Sequence, residues 1–326
     1  MKTTLITGGL GFIGSNICEL LLKKKYTDKC ILVDNFGGYM NPVKDGFIDF
    51  RKQRFSSLKN IIIERCDTSN YKALSLILNK HKPNYIYHTA ALPLAKVSNL
   101  NNEEAKISSV DSTINIIDAI NFIKNSNKSF KFDRFIYFSS SMVYGDFKKS
   151  VVNENSEKNP KDAYGIMKLA GEVVTEGLCK LHNIPYTIIR PSAVYGPKDM
   201  NRRVSQIFIE NAFQNKEIYI QGKNEKLDFT YIKDLANGSI LAARSKKGIN
   251  EIFNITCGKG QTLLSYVIYL KKKFPNIKYV VKARDKAKPS RGTLSINKAR
   301  RLIGYKPKYS LRDGINEYYN FLNKNI

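Results

Sequence analysis

The feature that most constrains the fold is a glycine-rich turn near the start of the chain, with the sequence Thr7-Gly8-Gly9-Leu10-Gly11-Phe12-Ile13-Gly14. An apolar run that predicts a strand precedes it, and an amphipathic stretch that predicts a helix follows it. Glycines at these spacings let the chain bend sharply, let the backbone approach a diphosphate, and let the helix pack closely on a sheet. The free N–H groups at the start of the helix suit phosphate oxygens. The turn therefore predicts a dinucleotide site formed by Gly8, Gly11, Phe12, Ile13 and Gly14.

A carboxylate further along the chain indicates which dinucleotide binds. Asp34 follows Gly14 by 20 residues and stands at the end of the second predicted strand. An acid there accepts hydrogen bonds from both ribose hydroxyls and repels a 2′-phosphate, which favours NAD over NADP. Asp67, after the third predicted strand, falls where the adenine edge would lie. The other predicted cofactor contacts are Asn35, Thr68, Ala90 and Ala91.

The first half of the chain alternates short apolar runs with helical patterns, which is typical of βαβ units and a parallel sheet. Strands are predicted at Thr3–Thr7, Cys30–Val33, Ile61–Cys66, Tyr85–His88, Arg134–Ser139 and Tyr186–Ile189. Helices are predicted at Gly11–Lys24, Tyr71–Asn79, Glu103–Lys124 and Lys161–Leu181. We therefore predict an α/β, Rossmann-type doubly wound parallel sheet over residues 1–189. A smaller, mainly substrate-binding region is predicted over residues 190–326, with a part at about 228–245 returning to the first domain.

The formal net charge of +26 is the unusual number in the composition. A charge of this size is compatible with nucleic-acid binding, since lysines that neutralise phosphates release counterions. The lysines, however, are spread along the whole chain in short clusters, which favours a solvated surface over one nucleic-acid face. A positive field would also attract an anionic substrate.

The remaining composition predicts a protein of a reducing compartment. The five cysteines are odd in number, form no C-x-x-C pair and show no metal-site spacing with the three histidines. No apolar run approaches the roughly 20 residues needed to cross a bilayer. The first predicted strand begins almost at Met1, so we expect no leader peptide. We therefore expect a cytoplasmic protein without a metal site.

Two further segments carry reactive side chains. Tyr164 and Lys168 are four residues apart on a predicted helix, so they face the same way. A nearby ammonium would lower the pKa of the tyrosine and make it a competent acid and base. Ser139, Ser140 and Ser141 end a predicted strand about two dozen residues upstream, where a hydroxyl could bond the same substrate oxygen.

The combined pattern resembles the extended short-chain dehydrogenase/reductase family, and within it the NAD-dependent nucleotide-sugar epimerases and dehydratases. The resemblance runs nearly end to end. Besides the opening turn and the Tyr164/Lys168 pair, it rests on His88-Thr89-Ala90-Ala91, Ser139-Ser140-Ser141-Met142-Val143-Tyr144-Gly145, Arg190-Pro191-Ser192-Ala193-Val194-Tyr195-Gly196-Pro197, Asp228-Phe229-Thr230-Tyr231-Ile232-Lys233-Asp234, Lys298-Ala299 and Gly304-Tyr305-Lys306-Pro307.

The resemblance implies roles for three of these residues. Tyr164 would be the acid and base, Lys168 would hold the nicotinamide ribose, and Ser140 would orient the reacting hydroxyl. Ser140 is chosen because the family's serine or threonine stands three residues before the valine of V-Y-G, here Val143. Ser139 and Ser141 remain alternatives. The family also implies a homodimer formed by the helices near residues 103–124 and 161–181.

One departure from the family pattern bears on the reaction. Dehydratases and decarboxylases of the family usually carry an acidic residue just before V-Y-G, and eliminating water needs such a further acid or base. This chain has Ser141 and Met142 there. Epimerisation or simple oxidation is therefore favoured over dehydration and decarboxylation.

Other departures bear on the substrate contacts. Ser109 stands where the family has an asparagine, Ala193 replaces a frequent asparagine, and Leu227 replaces a frequent arginine. The substrate diphosphate must then be held differently. The predicted substrate-binding residues are Ser140, Ser141, Arg202, Arg203 and Arg291, because hydroxyls bond sugars and guanidinium groups suit phosphates.

The leading hypothesis is an epimerase that uses NAD to oxidise the C4 hydroxyl of a nucleotide-diphosphate sugar and returns the hydride to the other face. The nearest alternatives are a 4-dehydrogenase and a dehydratase or decarboxylase. A non-catalytic NAD sensor or nucleic-acid-binding protein on the same fold is the alternative from another class. The sequence leaves the base and the sugar open.

Overall fold

The computed structural model describes residues 2–37, 48–50, 52–54, 58–92, 101–286 and 288–326. A parallel sheet of seven strands organises this part of the chain, in the spatial order β10-β7-β5-β4-β1-β2-β3. Its strands are β1 (Thr3–Thr7), β2 (Lys29–Asp34), β3 (Ile61–Arg65), β4 (Tyr85–His88), β5 (Arg134–Phe138), β7 (Tyr186–Arg190) and β10 (Glu251–Asn254). The six short strands outside it are β6 (Val151–Val152), β8 (Ile218–Gln221), β9 (Lys226–Asp228), β11 (Gly260–Thr262), β12 (Tyr279–Lys282) and β13 (Thr293–Leu294).

Helices connect the strands and cover the faces of the large sheet. They are α1 (Phe12–Lys23), α2 (Tyr71–His81), α3 (Asn102–Lys106), α4 (Ser112–Ser126), α5 (Ala163–Leu181), α6 (Val204–Phe213), α7 (Ile232–Arg244), α8 (Leu263–Lys271), α9 (Asn297–Ile303) and α10 (Leu311–Asn325). A π-helical turn at Ile107–Asp111 joins α3 to α4, and 3₁₀ turns lie at Lys52–Arg54, Ser141–Tyr144 and Lys246–Gly248.

The central strands are buried because both of their faces are covered by helices. Every residue of β1 and β5 is buried. Neighbouring residues of β1 pack into different apolar clusters, Leu5 into one and Ile6 into the other. The predicted doubly wound parallel sheet is therefore confirmed.

The chain returns to the large sheet after residue 190. α7 packs against α1, and β10 extends the sheet beside β7 with Phe253 opposite Ile189. The small strands form three pairs away from it, which are β8 with β12, β9 with β11 and β6 with β13. The division into domains 1–189 and 190–326 stays a prediction.

The strand order reverses direction at β1, which lies between β4 and β2. In open parallel sheets, ligands bind beside the carboxyl ends of the strands at such a reversal. The fold thus places the main crevice next to the glycine-rich turn that follows β1. None of the helices in the described ranges is long and apolar enough to cross a membrane.

Candidate active site

A cavity of about 1330 Å³ opens at the carboxyl ends of the parallel strands. Its walls come from the turn after β1, from the ends of β2, β3, β4 and β5, from α5, and from segments beyond residue 190. All of the predicted cofactor, catalytic and substrate residues line it. They are Gly8, Gly11, Phe12, Ile13, Gly14, Asp34, Asn35, Asp67, Thr68, Ala90, Ala91, Ser140, Ser141, Tyr164, Lys168, Arg202, Arg203 and Arg291.

The glycine-rich turn is too tightly packed for side chains at its two outer positions. Gly8 has a φ of +63°, and a Cβ there would lie 2.7 Å from the backbone nitrogen of Ala90. A Cβ at Gly14 would lie 2.5 Å from the Gly8 carbonyl oxygen. In the described structure no side chain caps the N-terminus of α1, whose first turn also lacks acidic residues. Its N–H groups and partial positive charge are therefore available to a diphosphate.

Two carboxylates border the adjoining part of the cavity. Asp34 Oδ2 accepts a hydrogen bond from the Leu10 amide at 3.0 Å, and its Oδ1 accepts one from the Phe36 amide. Asp67 accepts a hydrogen bond from Asn35 Nδ2 at 2.8 Å. Partial burial opposes ionisation of Asp67, but hydrogen bonds from Ser69 and Asn35 outweigh it and lower its pKa. The cradle of glycines and acids fits a dinucleotide that has free ribose hydroxyls.

The N-terminal part of α5 carries Tyr164 and Lys168 into the opposite wall. Asp162 caps this helix by accepting a hydrogen bond from the Gly165 amide at 2.7 Å. Lys168 is 2% exposed, and its Nζ donates to the Phe138 carbonyl at the end of β5. Burial lowers the pKa of Lys168 to about 7, against the opposing effect of Glu172. The helix thereby fixes the amine beside the phenol, with Nζ 5.9 Å from the centroid of the Tyr164 ring.

The electrostatics of Tyr164 differ from the prediction. Burial raises the pKa of Tyr164. Arg203 and Ser140 act in the opposite direction and offset part of this increase. The predicted net lowering of the pKa by Lys168 is therefore wrong for this structure. The physical reason is that desolvation of a phenolate at the cavity wall outweighs the effects of Arg203 and Ser140.

The three serines after β5 occupy different environments. Ser140 acts to lower the pKa of Tyr164, and its Oγ accepts a hydrogen bond from the Met142 amide at 3.1 Å. Ser139 is buried, and its Oγ has no hydrogen-bond partner among the described residues. Ser141 begins the 3₁₀ turn, and its amide donates to the Pro191 carbonyl. Of the three, Ser140 is the one that acts on the pKa of Tyr164.

Residues that depart from the family pattern also lie close to this cavity. Ala193 and Leu227 line it, and Ala193 adopts a φ of +36°, which is unusual for a residue with a Cβ. Ser109 lies in the π-helical turn and is buried, with its carbonyl facing Gly171 of α5. Ser108, the residue before it, is the one that lines the cavity.

The three predicted substrate arginines have acidic neighbours. Arg202 Nη1 lies 3.6 Å from Glu210 Oε2, and Arg203 Nη1 lies 3.5 Å from Asp199 Oδ2. Burial lowers the pKa of Arg291 to about 10, while Asp162 and Glu225 act in the opposite direction. All three arginines line the cavity, where phosphate oxygens could reach them.

The comparisons with known proteins agree with this geometry. Residues 4–256 match the model of the NAD-dependent epimerase/dehydratase family. The chain belongs to this family. A relative from Methanocaldococcus jannaschii, named as a putative UDP-glucose 4-epimerase, is 30% identical over 335 residues, with 98% of each chain covered.

Solved structures of the family have the same fold. The UDP-glucuronic acid 4-epimerase of Bacillus cereus, in complex with UDP-glucuronic acid and NAD, superposes with a TM-score of 0.85 at 28% identity and 99% coverage of both chains. The UDP-glucose 4-epimerase of Thermotoga maritima, with UDP-glucose, gives a TM-score of 0.85 at 26% identity and the same coverage. The predicted family and the predicted cofactor, NAD, are therefore confirmed.

Sequence reasoning missed several residues that line the cavity of this family member. They are Arg54, Ser108, Tyr219, Arg284 and Lys288. Arg284 pairs with Glu225 at 2.8 Å, and Lys288 Nζ donates to Gln221. No local motif marks these positions, because each reaches the cavity through contacts that are distant in the sequence.

Proposed function

We propose that this protein is an NAD-dependent nucleotide-sugar 4-epimerase. The observation that carries the proposal is the shared cavity. The dinucleotide cradle, Ser140 and Tyr164 face the same space, while Ser141 and Met142 supply no carboxylate beside them. The 4-epimerases among the relatives and the solved structures give it further support.

The residues of the site can divide the reaction among them. Tyr164 takes the proton of the sugar 4-hydroxyl, and Ser140 orients that hydroxyl toward the phenol. Lys168 supplies positive charge beside the phenolate and holds the nicotinamide ribose. When bound, NAD supplies the acceptor and later the donor of the C4 hydride. After the sugar turns over in the cavity, Tyr164 returns the proton to the oxygen at C4.

The cavity also favours an anionic substrate. Arg202, Arg203 and Arg291 present guanidinium groups along the half that is built after residue 190. Guanidinium groups bind phosphate oxygens with two parallel hydrogen bonds, which suits a diphosphate. These arginines offer a replacement for the polar contacts that Ala193 and Leu227 do not make.

Product analysis tests the proposed reaction. A thermal-shift panel of nucleotide sugars selects the best ligand, and NMR then identifies the product while absorbance at 340 nm follows reduced cofactor. We expect a C4 stereoisomer of the substrate with no net accumulation of NADH. A 4-keto product that forms together with NADH would indicate a dehydrogenase, and loss of water or carbon dioxide would indicate a dehydratase or decarboxylase.

A homodimer is also proposed. Two neighbouring helices expose large apolar side chains, with Phe122 of α4 57% exposed and Val173 of α5 66% exposed. Ile166 and Leu181 of α5 add further apolar surface. Pairing of the same helices from two copies would cover it.

We further propose a cytoplasmic location and a role in carbohydrate biosynthesis. All five cysteines are free, and four of them are buried. Unpaired thiols are typical of reducing compartments, although they do not identify one. The proposed nucleotide-sugar substrate belongs to the activated sugars from which carbohydrates are built.

A further inference from the structure

Arg54 joins the two halves of the cavity. It ends the 3₁₀ turn at Lys52–Arg54 and is 9% exposed, with its guanidinium among the cavity-lining groups. Nη1 donates to the Leu10 carbonyl at 3.1 Å. Nε and Nη2 both donate to the Lys198 carbonyl, at 3.1 and 2.8 Å. One side chain thus bonds the backbone of two segments that are far apart in the sequence.

The first of these segments is the cofactor-binding turn. The Leu10 amide donates to Asp34 Oδ2, while the Leu10 carbonyl accepts from Arg54. The peptide groups on both sides of Leu10 are therefore fixed, one by the predicted ribose-binding acid and the other by Arg54. A displacement of Arg54 would be transmitted directly to the turn that cradles the dinucleotide.

The second segment leads to the substrate arginines. Lys198 has a φ of +70°, and the fully buried Asp199 follows it. Asp199 Oδ1 accepts hydrogen bonds from the Asn201 amide and side chain, and Oδ2 lies 3.5 Å from Arg203 Nη1. The interactions of Asp199 therefore stabilise the stretch from Lys198 to Arg203. The hydrogen bonds from Arg54 to the Lys198 carbonyl thus also position Arg203.

We infer that Arg54 is a positioning residue that couples occupancy of the dinucleotide site to occupancy of the nucleotide-sugar site. This inference rests on the proposed function, because it requires both ligands in one cavity. The two sites share Arg54 as a common support, so ordering either segment orders the other. Coupling between ligands is reciprocal, so a nucleoside diphosphate should tighten the hold on NAD by the same factor that NAD tightens the hold on it.

An arginine suits this role because its planar guanidinium donates in several fixed directions at once. Lysine keeps the charge but has one nitrogen on a flexible stem, so it cannot span both carbonyls with three hydrogen bonds. Glutamine has only two N–H donors, on one nitrogen of a shorter side chain, so it cannot make the three hydrogen bonds that Arg54 makes. Both Arg54→Lys and Arg54→Gln therefore disrupt the set of hydrogen bonds to the Leu10 and Lys198 carbonyls. The lysine variant keeps the positive charge, and the glutamine variant keeps N–H donors.

The rate at which the holoenzyme loses NAD, measured with and without saturating UDP, tests the inference. In the wild-type protein we expect UDP to slow the loss of NAD by about 10-fold, which equals the gain in NAD affinity when the association rate is unchanged, and a gain of that size is usual for coupled sites. In Arg54→Lys and Arg54→Gln the slowing should fall below about 2-fold, although UDP still binds. Arg301→Lys, on an exposed arginine of α9, is the matched control and should keep the wild-type ratio.

Two results would overturn the inference. The ratio that decides is the rate of NAD loss without UDP divided by the rate with UDP. A ratio near 1 in the wild-type protein would overturn the inference. So would a wild-type ratio in both Arg54 variants despite faster loss of NAD, because it would indicate a purely structural role. A wild-type protein that retains NAD but binds neither UDP, dTDP nor GDP would instead contradict the proposed function, and the inference with it.

If neither variant folds, hydrogen exchange of the wild-type holoenzyme gives the same information. UDP should then slow exchange in peptides that cover the turn at residues 8–14 as well as in those that cover residues 198–203. Slowing confined to residues 198–203 would overturn the inference.

Discussion

Tyr164 combines two properties at the scale of a single residue. Burial raises its pKa, while Arg203 and Ser140 act in the opposite direction. Lys168, whose pKa is about 7, is held beside it by the Phe138 carbonyl. The phenol is therefore positioned for proton transfer, and its ionisation depends on charges that flank the cavity.

Removing the Tyr164 hydroxyl should abolish most of the activity. We expect Tyr164→Phe to fold normally and to lower kcat by about 10²- to 10⁴-fold, the usual contribution of general acid–base catalysis. NMR of the product measures the rate, and thermal unfolding checks the fold. Tyr71→Phe, on an exposed tyrosine of α2, is the matched control and should retain full activity. Undiminished turnover in Tyr164→Phe would contradict the proposed function.

Glu210 is a buried acid that should make stability depend on pH. Burial raises its pKa from 4.5 to about 7, against the opposing effects of Gln206 and Arg202. Since the folded pKa lies above the unfolded one, the contribution of the neutral acid is complete below pH 4.5 and is lost as the pH rises through 7.

Glu210→Gln should therefore gain stability relative to the wild type as the pH rises. Between pH 5 and 8.5 we expect the difference in free energy of unfolding to shift by about 1–3 kcal/mol in favour of the variant. Chemical denaturation at a series of pH values measures it. Glu103→Gln, on an exposed residue of α3, should show a difference that does not change with pH. A flat difference for Glu210→Gln would show that Arg202 compensates the buried charge fully.

At the scale of the element, α5 positions the proposed catalytic residues Tyr164 and Lys168 because it packs closely on β5. A Cβ at Gly171 would lie 2.1 Å from Tyr137 Oη and 2.8 Å from the Ser109 carbonyl oxygen. Tyr137 is fully buried and cannot move aside without disturbing the core. Gly171 thus sets the distance between the helix, the end of β5 and the π-helical turn.

A pair of substitutions on α5 tests this close packing. Gly171→Ala should destabilise the protein by about 1–3 kcal/mol through overpacking, and should lower kcat because Lys168 lies one turn away. Gly177→Ala meets no atom within 4 Å and should be neutral, or stabilising by up to about 1 kcal/mol. Denaturant unfolding and turnover are measured for both variants. Equal stability of the two would show that α5 can shift without cost.

The elements differ in how far local sequence predicts them. β1 and β5 were predictable because both are short runs rich in β-branched or aromatic residues, which favour strands, and Tyr85–His88 was predicted to the residue. β10 was not predicted, since its place beside β7 depends on contacts that span more than 60 residues. The π-helical turn at Ile107–Asp111 was read as part of one continuous helix, because its packing against α5 leaves no local signal.

The same distinction holds for the site. The glycine-rich turn and the Tyr164/Lys168 pair are local motifs that can be recognised from their spacing. The spacing of four residues alone places Tyr164 and Lys168 on one face of a helix. Arg54 is different, because its bonds reach partners 44 and 144 residues away. Nothing near Arg54 in the sequence indicates those partners. Only the folded chain brings the three segments together.

At the scale of the whole molecule, the cavity and the surface carry different parts of the function. The formal charge of +26 is spread over the chain, while Arg202, Arg203 and Arg291 present guanidinium groups at the cavity. This arrangement would draw an anionic nucleotide sugar toward the site. The apolar surface of α4 and α5 lies outside the cavity, so the proposed assembly need not obstruct access to it.

A charge placed on that apolar surface should separate the proposed homodimer. The wild-type chain of 37.1 kDa should sediment at about twice that mass, and Val173→Glu should sediment as a monomer. The reason is that an unpaired carboxylate at a covered helix face is costly to desolvate, whereas on a free surface it is not. Leu76→Glu, on an equally exposed leucine of α2, is the matched control and should remain dimeric.

Because the cavity is built within one chain, a monomeric Val173→Glu should still bind NAD. A dimeric Val173→Glu would place the interface elsewhere, and loss of NAD together with the dimer would mean that pairing of α5 also supports Tyr164 and Lys168.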